Sequence, residues 1–165
     1  MNSAVFSAPL LLYPILVNAL PTLIKRPYGF KRALLAWNLF QTGFSLIVFA
    51  MIAPAFAKLL WNDGYAESVC QDKWENHWVN TSYGWWVYLF LFSKIWDVVD
   101  TVFIMVNNKP VRFIHWYHHW ATMLSAYFGI MNSSSVALWC VVMNSFIHTL
   151  LYSHYSLTPN PDPAP

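Results

Sequence analysis

Residues 84–106 read GWWVYLFLFSKIWDVVDTVFIMV, an almost continuous run of apolar and aromatic side chains. A hydrocarbon core of roughly 30 Å requires about 20 mostly apolar residues in a helix, and this run is long enough. It also contains Lys94, Asp97 and Asp100, which are costly to place inside a membrane and are therefore a functional hypothesis by default. The stretch predicts a transmembrane helix that carries ionisable groups for a purpose.

Four further runs meet the same criterion, at residues 5–24, 33–57, 113–131 and 136–157. The composition agrees, because 58% of the 165 residues are hydrophobic and 10% are charged, whereas soluble domains carry about 25% charged residues. We therefore predict an all-α membrane protein with five transmembrane helices in a single domain over residues 1–165, ending in a Pro-rich tail at 158–165. The first run holds Pro9, Pro14 and Pro21, so we expect a kinked span that is retained rather than cleaved.

Charge and cysteine content exclude other classes of protein. Nine Lys and Arg against seven Asp and Glu give a net charge of +2, which provides no basic surface for nucleic acid. Two cysteines are too few for a disulfide scaffold.

The connections between the spans predict the orientation. Basic residues crowd the first and third connections: Lys25, Arg26, Lys31 and Arg32, then Lys109 and Arg112. By the positive-inside rule these connections face the cytoplasm, so the N-terminus is lumenal and the C-terminus cytoplasmic. The second connection, residues 58–83, contains His77 and a glycosylation sequon at Asn80 and is expected on the lumenal side.

Three polar clusters lie within the predicted spans. At about 100° per residue, Lys94, Asp97 and Thr101 share a helix face with Asp100 beside it, and Lys94 can pair with Asp97. His115, His118 and His119 follow at helical spacing in the fourth span, and Asn144, His148, Tyr152 and Tyr155 form a stripe in the fifth. Neutral imidazole can act as nucleophile, base or metal ligand. The three stripes predict one cytoplasm-facing polar cavity, although an ion pair that only fixes packing would explain Lys94 and Asp97 as well.

These clusters resemble three motifs of the ELO family of fatty acid elongases. Residues 94–101, KIWDVVDT, resemble its K-x-x-E-x-x-D-T box, residues 115–119, HWYHH, are identical to its H-x-x-H-H box, and residues 144–155, NSFIHTLLYSHY, resemble its N-x-x-x-H-x-x-M-Y-x-Y-Y box. The similarity extends from about Lys25 to Tyr155 and includes the Ser68-Val-Cys70 element. The HWYHH residues and the Cys70-containing loop are most similar to those of the subgroup that elongates saturated and monounsaturated long-chain acyl-CoA.

The resemblance implies a function, a fold and a location. It implies condensation of long-chain acyl-CoA with malonyl-CoA to 3-oxoacyl-CoA, CoA and CO2 at the endoplasmic reticulum membrane, without metal or cofactor. The implied fold is seven transmembrane helices, six of which form a barrel around a narrow tunnel that holds the acyl chain, and this chain holds five of the seven. Besides the two substrates and membrane lipids, the implied partners are the other enzymes of the elongation cycle.

The resemblance also implies roles for individual residues. It makes His118 and His148 candidates for covalent or proton-transfer steps, with His115 and His119 shaping the site. Asn144 or an imidazole N–H would stabilise the enolate that decarboxylation produces. The expected supporting residues are Lys94, Asp97, Asp100, Thr101, Tyr152 and Tyr155. Lys109 and Arg112 would meet the CoA phosphates, or serve only to orient the chain.

The chain departs from the family pattern in ways that leave alternatives open. Asp97 stands for Glu, Leu151 for Met, His154 for Tyr, and Asn107 and Asn108 for basic residues. The expected sixth and seventh helices are missing, so a truncated, non-catalytic elongase product is one alternative. A di-iron oxidase is another, but such sites use about eight histidines and this chain has six.

Overall fold

The computed structural model describes residues 4–24, 30–70, 83–107, 109–132 and 135–158. Over these ranges the chain forms six helices and no strand: α1 (Ala4–Leu23), α2 (Lys31–Cys70), α3 (Gly84–Ser93), α4 (Val98–Val106), α5 (Phe113–Asn132) and α6 (Ser135–Leu157). The prediction of an all-α membrane protein is confirmed. His77, the Asn80 sequon and the Pro-rich tail after Thr158 lie outside the described residues.

The helices follow the predicted spans closely in three places. α1, α5 and α6 begin and end within one residue of the runs at 5–24, 113–131 and 136–157. α1 continues as one helix through Pro9, Pro14 and Pro21. Within the described residues, Lys31–Ala66 and Val136–Leu157 are long and apolar enough to cross a membrane, while the apolar part of α1, Ala8–Leu23, is shorter.

α2 is longer than the span predicted at 33–57, since it continues to Cys70 through the first part of the predicted second connection. The helix bends at Gly64, whose φ of 78° and ψ of 175° lie outside the helical region. A residue with a Cβ rarely adopts this conformation, and glycine adopts it without steric cost. The bend separates the long apolar part of α2 from a short helical end.

The third predicted span, at 84–106, is covered by two helices rather than one. Residues 94–97 form a turn between α3 and α4. The amide of Trp96 bonds to the carbonyl of Ser93 at 2.8 Å, and the amide of Val99 bonds to that of Trp96 at 2.8 Å. Such i to i+3 bonds wind the backbone more tightly than an α-helix does. The interruption falls on the ionisable residues Lys94 and Asp97.

The chain divides into two compact units, and the first comprises Met1–Phe30 and Leu91–Asn132. In it α1 contacts both α4 and α5, and α4 contacts α5. Pro14 has no N–H to donate to the carbonyl of Leu10 one turn earlier. The indole N–H of Trp120 in α5 donates to that carbonyl instead, at 3.2 Å.

The second unit comprises Lys31–Phe90 and Ser133–Pro165 and is built on the packing of α2 against α6. The two helices run antiparallel, because Phe49 contacts Phe146 with ring centroids 5.3 Å apart and Phe56 contacts Trp139 at 4.7 Å. Beyond the bend in α2, the indole N–H of Trp139 donates to the Ser68 hydroxyl at 3.1 Å. Ser68 is buried, so the Ser68-Val-Cys70 element packs on α6 through its serine.

Candidate active site

A buried ion pair lies in the turn between α3 and α4. Nζ of Lys94 donates to Oδ2 of Asp97 at 2.8 Å, and the two side chains are 4% and 3% exposed. This confirms the predicted pairing. Asp97 is also the N-cap residue of α4, yet its side chain makes no cap hydrogen bond. Breaking a buried pair by removing one partner costs several kcal/mol, so the pair fixes the geometry of the turn.

The three histidines at the start of α5 lie in three different environments. His119 is buried, His115 is half-buried and His118 is exposed. The His115 and His119 rings are close, with centroids 4.5 Å apart, and the His118 ring lies 5.8 Å from that of His119. Helical spacing places the three on one side of α5 as predicted, but the stripe is not uniform. His118 is the imidazole of the three that a reactant reaches most readily.

His115 is tied to α1 and α4 by hydroxyl groups. Oγ1 of Thr101 lies 3.1 Å from Nε2 of His115 and 2.7 Å from the hydroxyl of Tyr13. Tyr13 is 2% exposed and Thr101 is fully buried. The predicted supporting residue Thr101 therefore contacts the histidine box directly, whereas its neighbour Asp100 is half-buried at the start of α4.

The predicted stripe of α6 belongs to the second unit. His148 and Tyr152 are buried, with ring centroids 5.2 Å apart. Tyr155 is 48% exposed and lies 6.4 Å from the Tyr152 ring, while Asn144 is half-buried one turn before His148. His154 is exposed in the last turn of α6.

The two basic residues predicted to meet CoA lie between α4 and α5. Lys109 and Arg112 are both exposed. The carbonyl of Arg112 accepts the amide of His115 at 3.0 Å, so this residue precedes the histidine box by one helical turn. The loop places two cations close in sequence to the histidines.

Sequence reasoning missed two sets of buried polar residues. The first is Tyr13, whose partner Thr101 lies 88 residues away in the chain, so no local spacing reveals it. The second is a stripe on α2, Asn38, Gln41 and Ser45, each 5% exposed or less. Their i, i+3, i+7 spacing within an apolar run is a signal that could have found them.

Among the described residues, no group of three His, Cys, Asp or Glu side chains is placed to hold a metal ion.

Helices this apolar, with a buried ion pair and a histidine cluster among them, define a polytopic membrane protein with an ionisable interior. The family model of the GNS1/SUR4 family matches residues 2–161. The chain belongs to this family, as its three motifs predicted.

Named relatives support the assignment. The chain is 34% identical over 130 residues to very long chain fatty acid elongase 6 of Drosophila melanogaster, covering 79% of this chain and 40% of the relative. It is 31% identical over 143 residues to long chain fatty acid elongase 2 of Caenorhabditis elegans, covering 83% and 52%. With very long chain fatty acid elongase 3 of Mus musculus it shares 28% identity over 133 residues, covering 81% and 48%. The chain thus spans about half the length of the curated relatives it matches, and no solved structure matches it significantly.

Proposed function

We propose that this chain carries the catalytic histidines of a fatty acid elongase, which condenses a long-chain acyl-CoA with malonyl-CoA to give 3-oxoacyl-CoA, CoA and CO2. The observation that carries the proposal is the HWYHH box of a GNS1/SUR4 family member, with one exposed and one buried imidazole beside a buried Lys94–Asp97 pair. Its relatives are named as fatty acid elongases. The proposed substrates are saturated and monounsaturated long-chain acyl-CoA, as for the subgroup that the motifs resemble.

The chemistry divides into two transfers. An imidazole nitrogen attacks the thioester carbon of acyl-CoA, the C–S bond breaks, and CoA leaves with the imidazole proton as the free thiol. Malonyl-CoA then loses CO2, and the resulting enolate carbon attacks the acyl-imidazole. The imidazole is released and takes up a proton, which leaves 3-oxoacyl-CoA.

The exposure of the histidines in α5 supports the proposed roles. His118 is the proposed nucleophile because it is the exposed imidazole of its box, whereas buried His119 is inaccessible to a bulky thioester. His148 is the proposed proton-transfer residue, and Asn144 or a neutral imidazole N–H the donor to the enolate. Lys109 and Arg112, both exposed, are proposed to meet CoA phosphates. No resident metal or cofactor is required by these steps.

The proposed location is the endoplasmic reticulum membrane, with the N-terminus lumenal. The first described basic residues, Lys31 and Arg32, are exposed at the start of α2, and Lys109 and Arg112 are exposed before α5. Both connections then face the cytoplasm, where the CoA substrates are. The other enzymes of the elongation cycle are the proposed protein partners, because the 3-oxoacyl-CoA product requires reduction.

The test is incorporation of radiolabelled malonyl-CoA into palmitoyl-CoA by the purified chain in lipid. We expect incorporation that His118→Ala or His148→Ala abolishes, while His154→Ala, at the exposed end of α6, retains it. The same assay on a version extended by two further helices separates an incomplete site from a wrong assignment. Incorporation by neither version, or by the His118→Ala variant at the wild-type rate, would refute the proposal. Stoichiometric iron in the purified protein would favour an oxidase instead.

A further inference from the structure

The hydrogen bonds around Thr101 form a chain across three helices of the first unit. The Tyr13 hydroxyl in α1 lies 2.7 Å from Oγ1 of Thr101 in α4, and the same oxygen lies 3.1 Å from Nε2 of His115 in α5. Because Tyr13 and Thr101 are 2% and 0% exposed, water does not compete for these bonds. Among the described residues, these are the two hydrogen-bond partners of the Thr101 side chain.

The chemistry of the three groups sets the direction of the chain. A phenol is a far stronger acid than an aliphatic alcohol, so in a phenol–alcohol pair the phenol donates and the alcohol accepts. Thr101 has one hydroxyl proton, and once its oxygen accepts from Tyr13 this proton is directed to its other partner, His115. Nε2 of His115 is then an acceptor, and in a neutral imidazole the proton must lie on the other nitrogen, Nδ1.

We propose that Tyr13, acting through Thr101, is a positioning residue that holds His115 in the Nδ1-protonated tautomer. His115 thereby presents an N–H at Nδ1 and has no free lone pair for attack on a thioester. This separates it from His118, the exposed neighbour proposed as nucleophile. Two imidazoles of one box are in this way given different tasks, one that donates and one that attacks.

A second contact fixes Tyr13 in place. Pro14 follows it directly, and the carbonyl of Leu10, which Pro14 cannot reach, accepts the indole N–H of Trp120 at 3.2 Å. α1 is thus tied to α5 at Trp120, the residue that follows His119, and to α4 through Thr101.

The decisive measurement is the tautomer of His115, read by 15N NMR of the full chain in lipid with ring-labelled histidine. The signals of a protonated and an unprotonated ring nitrogen are well separated, and a His115→Gln spectrum identifies those of His115. We expect protonated Nδ1 and unprotonated Nε2 in the wild type. Tyr13→Phe and Thr101→Val should each yield a mixture of tautomers, whereas Thr101→Ser, which keeps the hydroxyl, should restore the wild-type pattern.

The matched control is Tyr65→Phe, which removes the hydroxyl of a tyrosine in α2 that is 70% exposed and keeps its ring contact with Trp139. We expect its His115 signals to be unchanged. Protonated Nε2 in the wild type would overturn the proposal. A wild-type pattern in both Tyr13→Phe and Thr101→Val would also overturn it. The serine variant keeps the test decisive if Tyr13→Phe fails to fold.

The catalytic consequence rests on the proposed function and is measured separately. In the elongation assay we expect Tyr13→Phe to lower kcat about tenfold and to leave KM unchanged, because one hydrogen bond that orients a donor is lost. Failure of both the chain and the version extended by two helices to incorporate malonyl-CoA, with the expected NMR pattern, would refute the proposed function alone. An active chain whose tautomer ignores Tyr13 would refute the positioning role alone.

Discussion

Oδ2 of Asp97 lies 4.0 Å from Nδ1 of His119, too far for a hydrogen bond. The same oxygen accepts Nζ of Lys94 at 2.8 Å. His119 is buried, with 7% of its surface exposed, yet its Nδ1 has no hydrogen-bond partner within the part of the chain that the structure describes. Asp97 thus neutralises a buried lysine and stops just short of a buried histidine.

Lengthening this side chain should close the gap. Asp97→Glu adds one methylene, about 1.5 Å of reach, and a carboxylate that contacts both Lys94 and Nδ1 of His119 satisfies a buried polar atom. We expect the free energy of unfolding to rise by about 1 kcal/mol, measured by denaturant titration in detergent, and the Nδ1 signal of His119 to shift. Asp100→Glu, the same change at a half-buried neighbour, is the control. An Asp97→Glu variant with unchanged stability and an unmoved His119 signal would contradict this explanation.

Removing the carboxylate should be severely destabilising. Asp97→Asn removes the carboxylate charge that pairs with the buried Lys94 ammonium, and we expect a loss of about 3–5 kcal/mol in the same titration. The double variant Lys94→Met/Asp97→Leu buries no charge and should recover most of this loss. Asp63→Asn, at an exposed carboxylate of α2, should change stability by no more than about 0.5 kcal/mol. A double variant as unstable as the single one would show that packing, not the buried charge, causes the loss.

The proline-freed carbonyl of α1 gives a prediction that two substitutions test together. Trp120→Phe removes the N–H that bonds to the Leu10 carbonyl and should cost about 0.5–1.5 kcal/mol, the net contribution of a typical hydrogen bond, because this bond is only partly buried. Pro14→Ala supplies a backbone N–H that can reach the same carbonyl within α1. In that background Trp120→Phe should cost markedly less.

A double-mutant cycle of unfolding free energies measures this coupling. Trp116→Phe, in the same helix, is the control and should cost equally in both backgrounds. Additive effects of Pro14→Ala and Trp120→Phe would mean that the indole does not replace the missing proline N–H.

Two glycines of α2 should respond to alanine with opposite signs. Gly64 has a φ of 78°, a conformation that alanine adopts only with strain, so Gly64→Ala should lower stability by about 1–2 kcal/mol. The loss would come from the backbone alone, because an added Cβ would have no atom within 4 Å to clash with. Gly43 also has open space around it but lies inside regular helix. Gly43→Ala should therefore raise stability by about 0.5–1 kcal/mol. Thermal unfolding in detergent would measure both changes in stability. Changes of the same sign for the two variants would contradict the bend at Gly64.

Local spacing predicts interactions between residues that lie close together in the chain. The Lys94–Asp97 pair was predictable because its partners lie three residues apart, and the helices at 113–131 and 136–157 because apolar runs of that length form helices. The tie between Tyr13 and Thr101 was not, because 88 residues separate them. α2 is longer than the span predicted at 33–57 because the apolar run marks only the part of a helix that can cross a membrane. Lys58 and Asp63 end the apolar run, but the helix continues through them.

The environments of the histidines were likewise beyond the sequence. Spacing placed His115, His118 and His119 on one side of α5, but burial depends on the helices around it, and it differs for each of the three. The turn at 94–97 contains no glycine or proline, the residues that usually mark an interruption of a helix. Nothing in the local sequence therefore distinguishes it from continuous helix.

The bond between Trp120 and Leu10 has a consequence for the order in which the protein is made. Its two partners are 110 residues apart, so a ribosome that adds about 5–20 residues per second completes α1 roughly 5–20 s before the indole exists. During that interval the Leu10 carbonyl must find another donor, such as water at the insertion machinery. α1 therefore reaches its final state only after α5 has emerged, although α1 is synthesised before α5.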